Sequence, residues 1–289
     1  MFIITFKTNS SDIDAKIEKL QLNDVFNTYY EAALNITTDN WGYGYEEKEN
    51  EILDLHIVFD ADESKLEAFL IKISDILDDF SFEVKEENYN YEETIFPSVQ
   101  INDSWILINP NEESQNINRI NFISQGAFGT GLHETTKDIL SLILKKDFSN
   151  KTVMDIGTGS GILAIATALK SAKKVTAVDI RDVEEEVMLN ASFNDLSTIE
   201  VKVGNALTND FTVDPLYDWI YINIGGEETQ MFMEYIDSHL KKDGMLLVSG
   251  LVEWSFDFVK SKVEEHSYEM TQKLQTNEWC TAIFKKIQK

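Results

Sequence analysis

A two-domain α/β chain, with a doubly wound and mostly parallel sheet in its C-terminal part, is what this sequence of 289 residues predicts. Three observations carry that expectation. Residues 151–179 read as a buried strand, a glycine turn, a buried helix and a second strand ending on an acid. From Arg119 onward, strands and helices alternate, the order of a sheet with helices on both faces. Before about residue 90 the order is strand, helix, strand, strand, helix, strand, which is that of a small ferredoxin-like α+β domain.

The first domain, residues 1–90, opens on Phe2 to Lys7, an alternating run rich in β-formers. Ser10 or Ser11 stands where a helix cap is wanted, and Ile13, Ile17 and Leu20 follow at helical spacing. Residues 32–46 hold an Asn-Trp-Gly-Tyr-Gly turn beside an irregular second strand, and Ile52 to Phe59 is a strand. Between Asp60 and Phe80, Leu66, Phe69, Leu70, Ile73, Ile76 and Leu77 form one apolar helical stripe. Phe82 to Glu86 supplies the last strand. A polar connection, residues 91–118, follows; it is broken by Pro97 and Pro110 and contains the short strand Trp105 to Ile108.

The second domain, residues 119–289, begins with a glycine-rich loop and a helix opened by Glu134-Thr135-Thr136, with Ile139, Leu140 and Ile143 on its apolar side. After the unit at 151–179 the pattern gives a helix from about Asp182 to Asn194 and strands Ile199 to Val203 and Asp218 to Asn223. Helix Thr229 to Leu240, strand Met245 to Ser249 and helix Ser255 to Glu265 come next. Two closing strands, Tyr268 to Leu274 and Trp279 to Lys285, have no helix between them, so they are expected to form an antiparallel hairpin at one sheet edge.

The chemistry lies in the glycine turn. Val153, Met154 and Ile156 bury a strand, Asp155 sits at its end, and Gly157-Thr158-Gly159-Ser160-Gly161 follows. Glycines let backbone N–H groups approach a ligand closely, and an acid some 20 positions later accepts hydrogen bonds from ribose hydroxyls. Asp179 holds that place. A dinucleotide fingerprint needs Gly-x-Gly-x-x-Gly for its pyrophosphate; here the spacing is Gly-x-Gly-x-Gly, with Ile162 at the third small position. Asp155 would repel a pyrophosphate and favour a cation. The pattern therefore suits S-adenosylmethionine, which carries a sulfonium and an ammonium and no phosphate, while a plain structural turn or another nucleotide stays open at this point.

Composition bounds the rest. The chain carries 51 Asp and Glu against 25 Lys and Arg, a net charge of −26. The first 115 residues hold 26 acids against 7 lysines, and the remainder 25 acids against 18 basic residues. Such a field repels nucleic-acid phosphates and attracts basic partners; no direct nucleic-acid binding is expected. No apolar run approaches the roughly 20 residues that cross a bilayer, and the opening segment turns polar too soon for a signal peptide. A single cysteine, Cys280, rules out an intrachain disulfide and a cysteine-based zinc site. A cytoplasmic protein without membrane association or metal is the expectation.

Four separated motifs resemble one family. Ala127-Phe-Gly-Thr-Gly-Leu-His-Glu-Thr-Thr136, the run from Asp155 to Ala166, the strand end Tyr221-Ile222-Asn223, and Asn277-Glu-Trp-Cys-Thr-Ala-Ile-Phe-Lys-Lys286 together look like the ribosomal protein L11 methyltransferase family, the PrmA type. The resemblance covers residues 119–289 well and residues 1–115 in overall layout. It implies a Rossmann-like class I methyltransferase domain with a seven-stranded sheet, an N-terminal ferredoxin-like domain that recognises a basic ribosomal protein, and transfer of methyl groups from S-adenosylmethionine to lysine and N-terminal amines. Carried over residue by residue, it makes Thr136, Gly157, Asp179 and Asn223 cofactor contacts, joined by Asp155, Gly159 and Gly161 of the same loop. Asn223 and His133 are the candidate catalytic residues, the first to orient an amine and the second to accept a proton, line the entrance or bond the loop backbone.

The sequence also departs from that family. Gln125-Gly126 leads straight into Ala127 where Pro-Gly-Met or Pro-Gly-Leu is usual; Asp179-Ile180-Arg181-Asp182 replaces Asp-Ile-Asp-Pro; Ile222-Asn223-Ile224-Gly225 replaces Ala-Asn-Ile-Leu. These departures leave open a paralogue acting on another basic protein, or a catalytically silent cofactor-binding or partner-binding module.

Overall fold

A computed structural model of the chain describes residues 1–87, 97–114, 118–125, 129–208, 210–214 and 216–287. Residues 91–96 of the expected connection, and Ala127 and Phe128 of the first motif, lie outside the described residues. The chain divides into two compact units, Met1–Thr37 with Tyr43–Thr94, and Thr38–Gly42 with Ile95–Lys289.

In the first unit β1 (Phe2–Asn9) is followed by α1 (Ile13–Gln21), β2 (Thr28–Tyr29), β3 (Leu34–Thr38), β4 (Tyr43–Glu47), β5 (Ile52–Phe59), α2 (Leu66–Leu77) and β6 (Phe82–Glu86). The four-stranded sheet runs β2-β5-β1-β6, with antiparallel pairing throughout. This is the ferredoxin-like order. The period-2 pattern explains why: Ile4 and Phe6 on β1 and Leu53, Leu55, Ile57 and Phe59 on β5 are buried on one face, where Ile13, Leu20, Ile73 and Leu77 of the helices meet them. Two details differ from expectation. The side-chain cap lies on the 3-10 turn that leads into α1, where Asn9 accepts from Ser11 N–H, and Asp12 precedes α1 itself without a side-chain cap bond. The segment beyond β2 folds as a separate two-stranded sheet of β3 and β4, which leaves β2 only two residues long.

In the second unit, β7 (Val99–Asn102), β8 (Trp105–Ile108) and β9 (Asn118–Asn121) form a three-stranded sheet, β8 antiparallel to β7 and parallel to β9. Only β8 was visible as a strand in the sequence, because four-residue strands broken by Asn and Asp carry little periodicity. Then come α3 (Glu134–Leu144), β10 (Thr152–Ile156), α4 (Ile162–Leu169), β11 (Lys174–Asp179), α5 (Glu184–Ser192), β12 (Ile199–Val203), β13 (Tyr217–Asn223), α6 (Gly226–His239), β14 (Leu240–Val252), α7 (Glu253–Glu265), β15 (Tyr268–Thr276) and β16 (Trp279–Lys286). The seven-stranded sheet has the order β12-β11-β10-β13-β14-β16-β15. Strands β10 to β14 pair in parallel, and β16 lies antiparallel to both β14 and β15, so the closing hairpin sits at the edge as expected.

Both faces of this sheet are buried. Val153 and Tyr221 point into one core, with Ile139, Ile143, Leu163 and Val187 of α3, α4 and α5. Met154, Ile156, Ile220 and Ile222 point into the other, with Met233, Ile236, Phe256 and Val259 of α6 and α7. Such strands read as near-continuous apolar runs. The strand order reverses between β10 and β13, and in open α/β sheets ligands bind outside the carboxyl ends of the strands at that reversal. Among the described residues no helix is long and apolar enough to cross a membrane.

Candidate active site at the carboxyl ends of β10, β11 and β13

The turn after β10 is shaped by its glycines. Gly157 has φ +70°, a left-handed conformation that side chains resist, and a Cβ there would come within 2.8 Å of Ile224 Cδ1. Its N–H and that of Thr158 both donate to the carbonyl of Val178, at 2.8 and 2.9 Å, which ties the turn to the end of β11. Gly159 N–H donates to Asp179 Oδ2 at 2.9 Å. Gly161, the residue before α4, has the same left-handed backbone, φ +76°, and a Cβ there would also strike both methyls of Val187 on α5 at 2.8 Å. Backbone conformation and helix packing together require glycine at this position.

Two carboxylates flank the turn. Asp155 is 1% exposed and accepts from Thr158 Oγ1 at 2.7 Å. Burial is the largest influence on it and, with the nearby Asp179 charge, pushes its pKa up to about 7 against the pull of the Thr158 and Ala164 hydrogen bonds. Asp179 accepts from Gly159 N–H through Oδ2 and from Arg181 N–H through Oδ1, the latter at 3.0 Å, while Arg181 Nε lies 3.7 Å away. Arg181, which stands where the related pattern has an acid, lies half in solvent beside the strand-end carboxylate. Two neighbouring buried acids with only that exposed guanidinium beside them favour a cation in the space between.

Two buried polar atoms lack a hydrogen-bond partner here: Thr136 Oγ1 on the first turn of α3 and Asn223 Oδ1 at the end of β13. Buried polar atoms are almost always paired; others among the described residues are also unpaired, but these two lie at the carboxyl end of the sheet, where a ligand could bond to them. Ser160, wholly buried, donates from Oγ to the carbonyl of Gly129 at 3.0 Å and joins the two glycine-rich loops. His133 is the cap of α3, its Nδ1 accepting from Thr135 N–H at 3.3 Å and lying 2.8 Å from Thr135 Oγ1, and its ring meets Trp279 edge-on with centroids 4.7 Å apart. That is the loop-bonding role among those the sequence left open.

Thr136, Asp155, Gly157, Gly159, Asp179 and Asn223 therefore belong to segments that converge on one end of the sheet. The donor set fits S-adenosylmethionine: two acids for a cation, Asp179 for ribose hydroxyls, and a hydroxyl and an amide oxygen with unmet capacity. Sequence reasoning gave no role to Ser160, which hydrogen-bonds the Gly129 carbonyl, or to Ile224, which packs against Gly157. It also began the helix after β13 at Thr229, whereas Gly226 begins α6. A Cβ on Gly226 would come within 2.7 Å of the Trp41 carbonyl oxygen, so close backbone approach accounts for glycine at this position.

A hollow of about 600 Å³ lies at the other end of the sheet, lined by Thr152, Lys174, Thr198, Glu200 and Asp214. Its Lys174 is neutralised by Glu200 and Asp214 at 2.8 and 2.6 Å, and it has none of the glycine turns, so the chemistry is not there.

Comparison with known proteins points the same way. The sequence profile of the family described as "Ribosomal protein L11 methyltransferase (PrmA)" matches residues 4–287. A protein of that name from Thermotoga maritima is 36% identical over 187 residues, 63% of this chain and 68% of the relative. One from Fusobacterium nucleatum is 37% identical over 163 residues, covering 55% of this chain and 52% of the relative; alignment with such relatives spans about half of their length. A crystal structure of a ribosomal protein L11 methylase from Lactobacillus delbrueckii subsp. bulgaricus superposes with TM-score 0.60 and 28% identity, over 67% of this chain and all of that one. Matched along nearly its whole length, the chain belongs to the ribosomal protein L11 methyltransferase (PrmA) family of S-adenosylmethionine-dependent enzymes.

Proposed function

We propose that this chain methylates lysine and N-terminal amines of ribosomal protein L11, with Asn223 orienting the acceptor nitrogen. The observation that carries this reading is the buried, unpartnered Oδ1 of Asn223 at the carboxyl end of β13. A neutral oxygen there accepts an N–H from the incoming amine and directs its lone pair, without holding it protonated as a carboxylate would. Thr136, Gly157, Gly159 and Asp179 hold the cofactor, and the Asp155 and Asp179 carboxylates favour its positive charge. When bound, S-adenosylmethionine supplies a methyl carbon attached to a cationic sulfur.

Proximity and alignment are the catalysis this site provides. A lysine with its reference pKa of about 10.4 is mostly protonated at neutral pH, so its proton must leave before attack. With the cofactor held by Thr136, Gly157, Gly159 and Asp179, its methyl group would be available to the nitrogen that Asn223 orients, and the displaced protons would pass to water. His133 serves by fixing the start of α3, from which Thr136 projects. The acidic excess of the first 115 residues, 26 acids against 7 lysines, supports a basic protein as the partner.

The test is incubation with labelled S-adenosylmethionine and unmethylated L11. Label on L11, reduced about 100-fold in Asn223→Ala at saturating cofactor, supports the assignment, since misplacing a reacting group costs about that much. Normal cofactor binding with no label on L11 overturns the substrate.

A further inference from the structure

Residues 121–125 continue the line of β9 in an extended path, and their N–H groups alternate between two sides. Phe122 N–H donates to the Ile108 carbonyl beyond β8 at 2.9 Å. Asn121, Ile123 and Gln125 face the other way, toward α5, where no strand lies. Their partners are side chains: Asn121 N–H donates to Asn194 Oδ1 at 2.9 Å, Ile123 N–H to Asn190 Oδ1 at 2.8 Å, and Gln125 N–H to Glu186 Oε1 at 3.0 Å. The amides also give back, Asn194 Nδ2 to the Asn121 carbonyl at 2.7 Å and Asn190 Nδ2 to the Ile123 carbonyl at 3.0 Å.

The spacing makes this possible. Residues 186, 190 and 194 recur every four positions along α5 and its closing turn, a rise of about 6 Å. Two residues of strand advance about 6.6 Å. Three side chains of a helix thus imitate the edge of an antiparallel strand. The orientation of Asn190 is fixed by its partners, because Nδ2 also donates to the Glu186 carbonyl at 3.1 Å and a flipped amide would oppose like to like at three contacts. Glu186, 8% exposed, accepts but offers no donor to the Gln125 carbonyl, so pairing stops at this rung. Gly129 follows four residues later, where Ser160 holds it.

We infer that Glu186, Asn190 and Asn194 are positioning residues for cofactor binding: they lock residues 121–125 in register against α5 and so hold the segment leading to Thr136 at a fixed place relative to the segment ending in Asp179. The inference rests on Thr136 and Asp179 being cofactor contacts.

The experiment measures S-adenosylmethionine and S-adenosylhomocysteine Kd by calorimetry on the full chain, with hydrogen exchange of the Ile123 and Gln125 amides and cofactor KM and kcat. Glu186→Ala is expected to weaken both Kd values on the order of fivefold or more, the effect of one net hydrogen bond, to raise KM in step, to leave kcat at saturating cofactor within about twofold, and to speed exchange at Gln125. Glu186→Gln, which keeps the acceptor, restores Kd and protection. Asn190→Ala, which removes a two-way rung, is expected to have a larger effect; should it fail to fold, the Glu186 pair decides. A Glu186→Ala protein that melts earlier but binds both ligands normally overturns the inference, as does equal weakening by Glu186→Gln. An Asp179→Ala control separates the two readings: normal Kd in that control refutes the cofactor assignment, whereas a lost Kd there with normal Kd in Glu186→Ala refutes only the positioning role.

Discussion

Asp155→Asn should remove the fall in stability that this group causes with rising pH in the cofactor-free protein. In the wild type the buried carboxyl has its pKa pushed up to about 7 from 3.8, so the folded state holds a proton that the unfolded state has lost. Stability from this group is therefore present at low pH and is lost as pH rises from about 4 to about 7, with no further change above. A shift of about 3 units at 1.36 kcal/mol each corresponds to about 4 kcal/mol in all, of which about 3 kcal/mol falls between pH 5 and pH 8.

Asparagine removes that titration, at a local cost. The amide offers one acceptor oxygen where the carboxyl has two to share between the Thr158 hydroxyl and the Ala164 N–H, and a lost or weakened hydrogen bond costs about 1 kcal/mol. At pH 5 the variant should thus be less stable than the wild type by about 1 kcal/mol, and at pH 8 more stable by about 2 kcal/mol, with the two curves crossing between. Denaturant melts at pH 5, 6, 7 and 8 measure this directly. Cofactor affinity gives a second reading: wild-type affinity for S-adenosylmethionine should rise as pH passes through 7, more than that for S-adenosylhomocysteine, which has no sulfonium, and the variant should lose this rise. A stability difference between the two proteins that is the same at pH 5 and pH 8 would refute the account of Asp155 as a buried group that ionises near neutrality.

Two further changes probe the turn itself. Gly157→Ala places a side chain at φ +70° and 2.8 Å from Ile224 Cδ1; a left-handed alanine costs roughly 1–2 kcal/mol, so Tm should fall by several degrees and cofactor Kd should weaken, both readable from thermal melts with and without ligand. Asp179→Asn leaves one acceptor for two backbone donors, Gly159 and Arg181, and removes the charge. Calorimetry should show cofactor Kd weakened by roughly 10- to 100-fold, the range for charged hydrogen bonds.

What could be read from the sequence followed from how strongly each segment is constrained locally. β10, α4 and β11 are almost wholly buried, so they are dominated by apolar residues and announce themselves, and Gly157 is required by its backbone. The start of α6 was misplaced because a Gly-Gly pair reads as a turn wherever its tertiary neighbour is unknown; the reason for it, the carbonyl of Trp41, lies 185 positions away in the chain. β7 and β9 were missed for the same reason, their stability coming from pairing with β8 and not from their own four residues.

The site divides along the same line. Asp155, Gly159 and Asp179 are close in sequence and their bonds to one another are short-range in the fold, so the motif carries them. Thr136 and Asn223 were placed by resemblance, and what marks them physically is an unmet buried oxygen, a property no sequence displays. The acids explain why the parts come together as they do. Gly159 N–H and Arg181 N–H use one oxygen each of Asp179, and Thr158 uses one of Asp155, so the turn is already closed around its carboxylates before any ligand arrives. A ligand entering this site meets the Asp179 carboxylate, joined by that of Asp155 as the latter ionises near pH 7, so a phosphate would find repulsion where a sulfonium or ammonium finds compensation. Asp155→Asn should therefore narrow the preference for a cationic nucleoside over a dinucleotide; S-adenosylmethionine and NAD Kd values compared by calorimetry at pH 8 measure it, and an unchanged ratio would refute this role of Asp155.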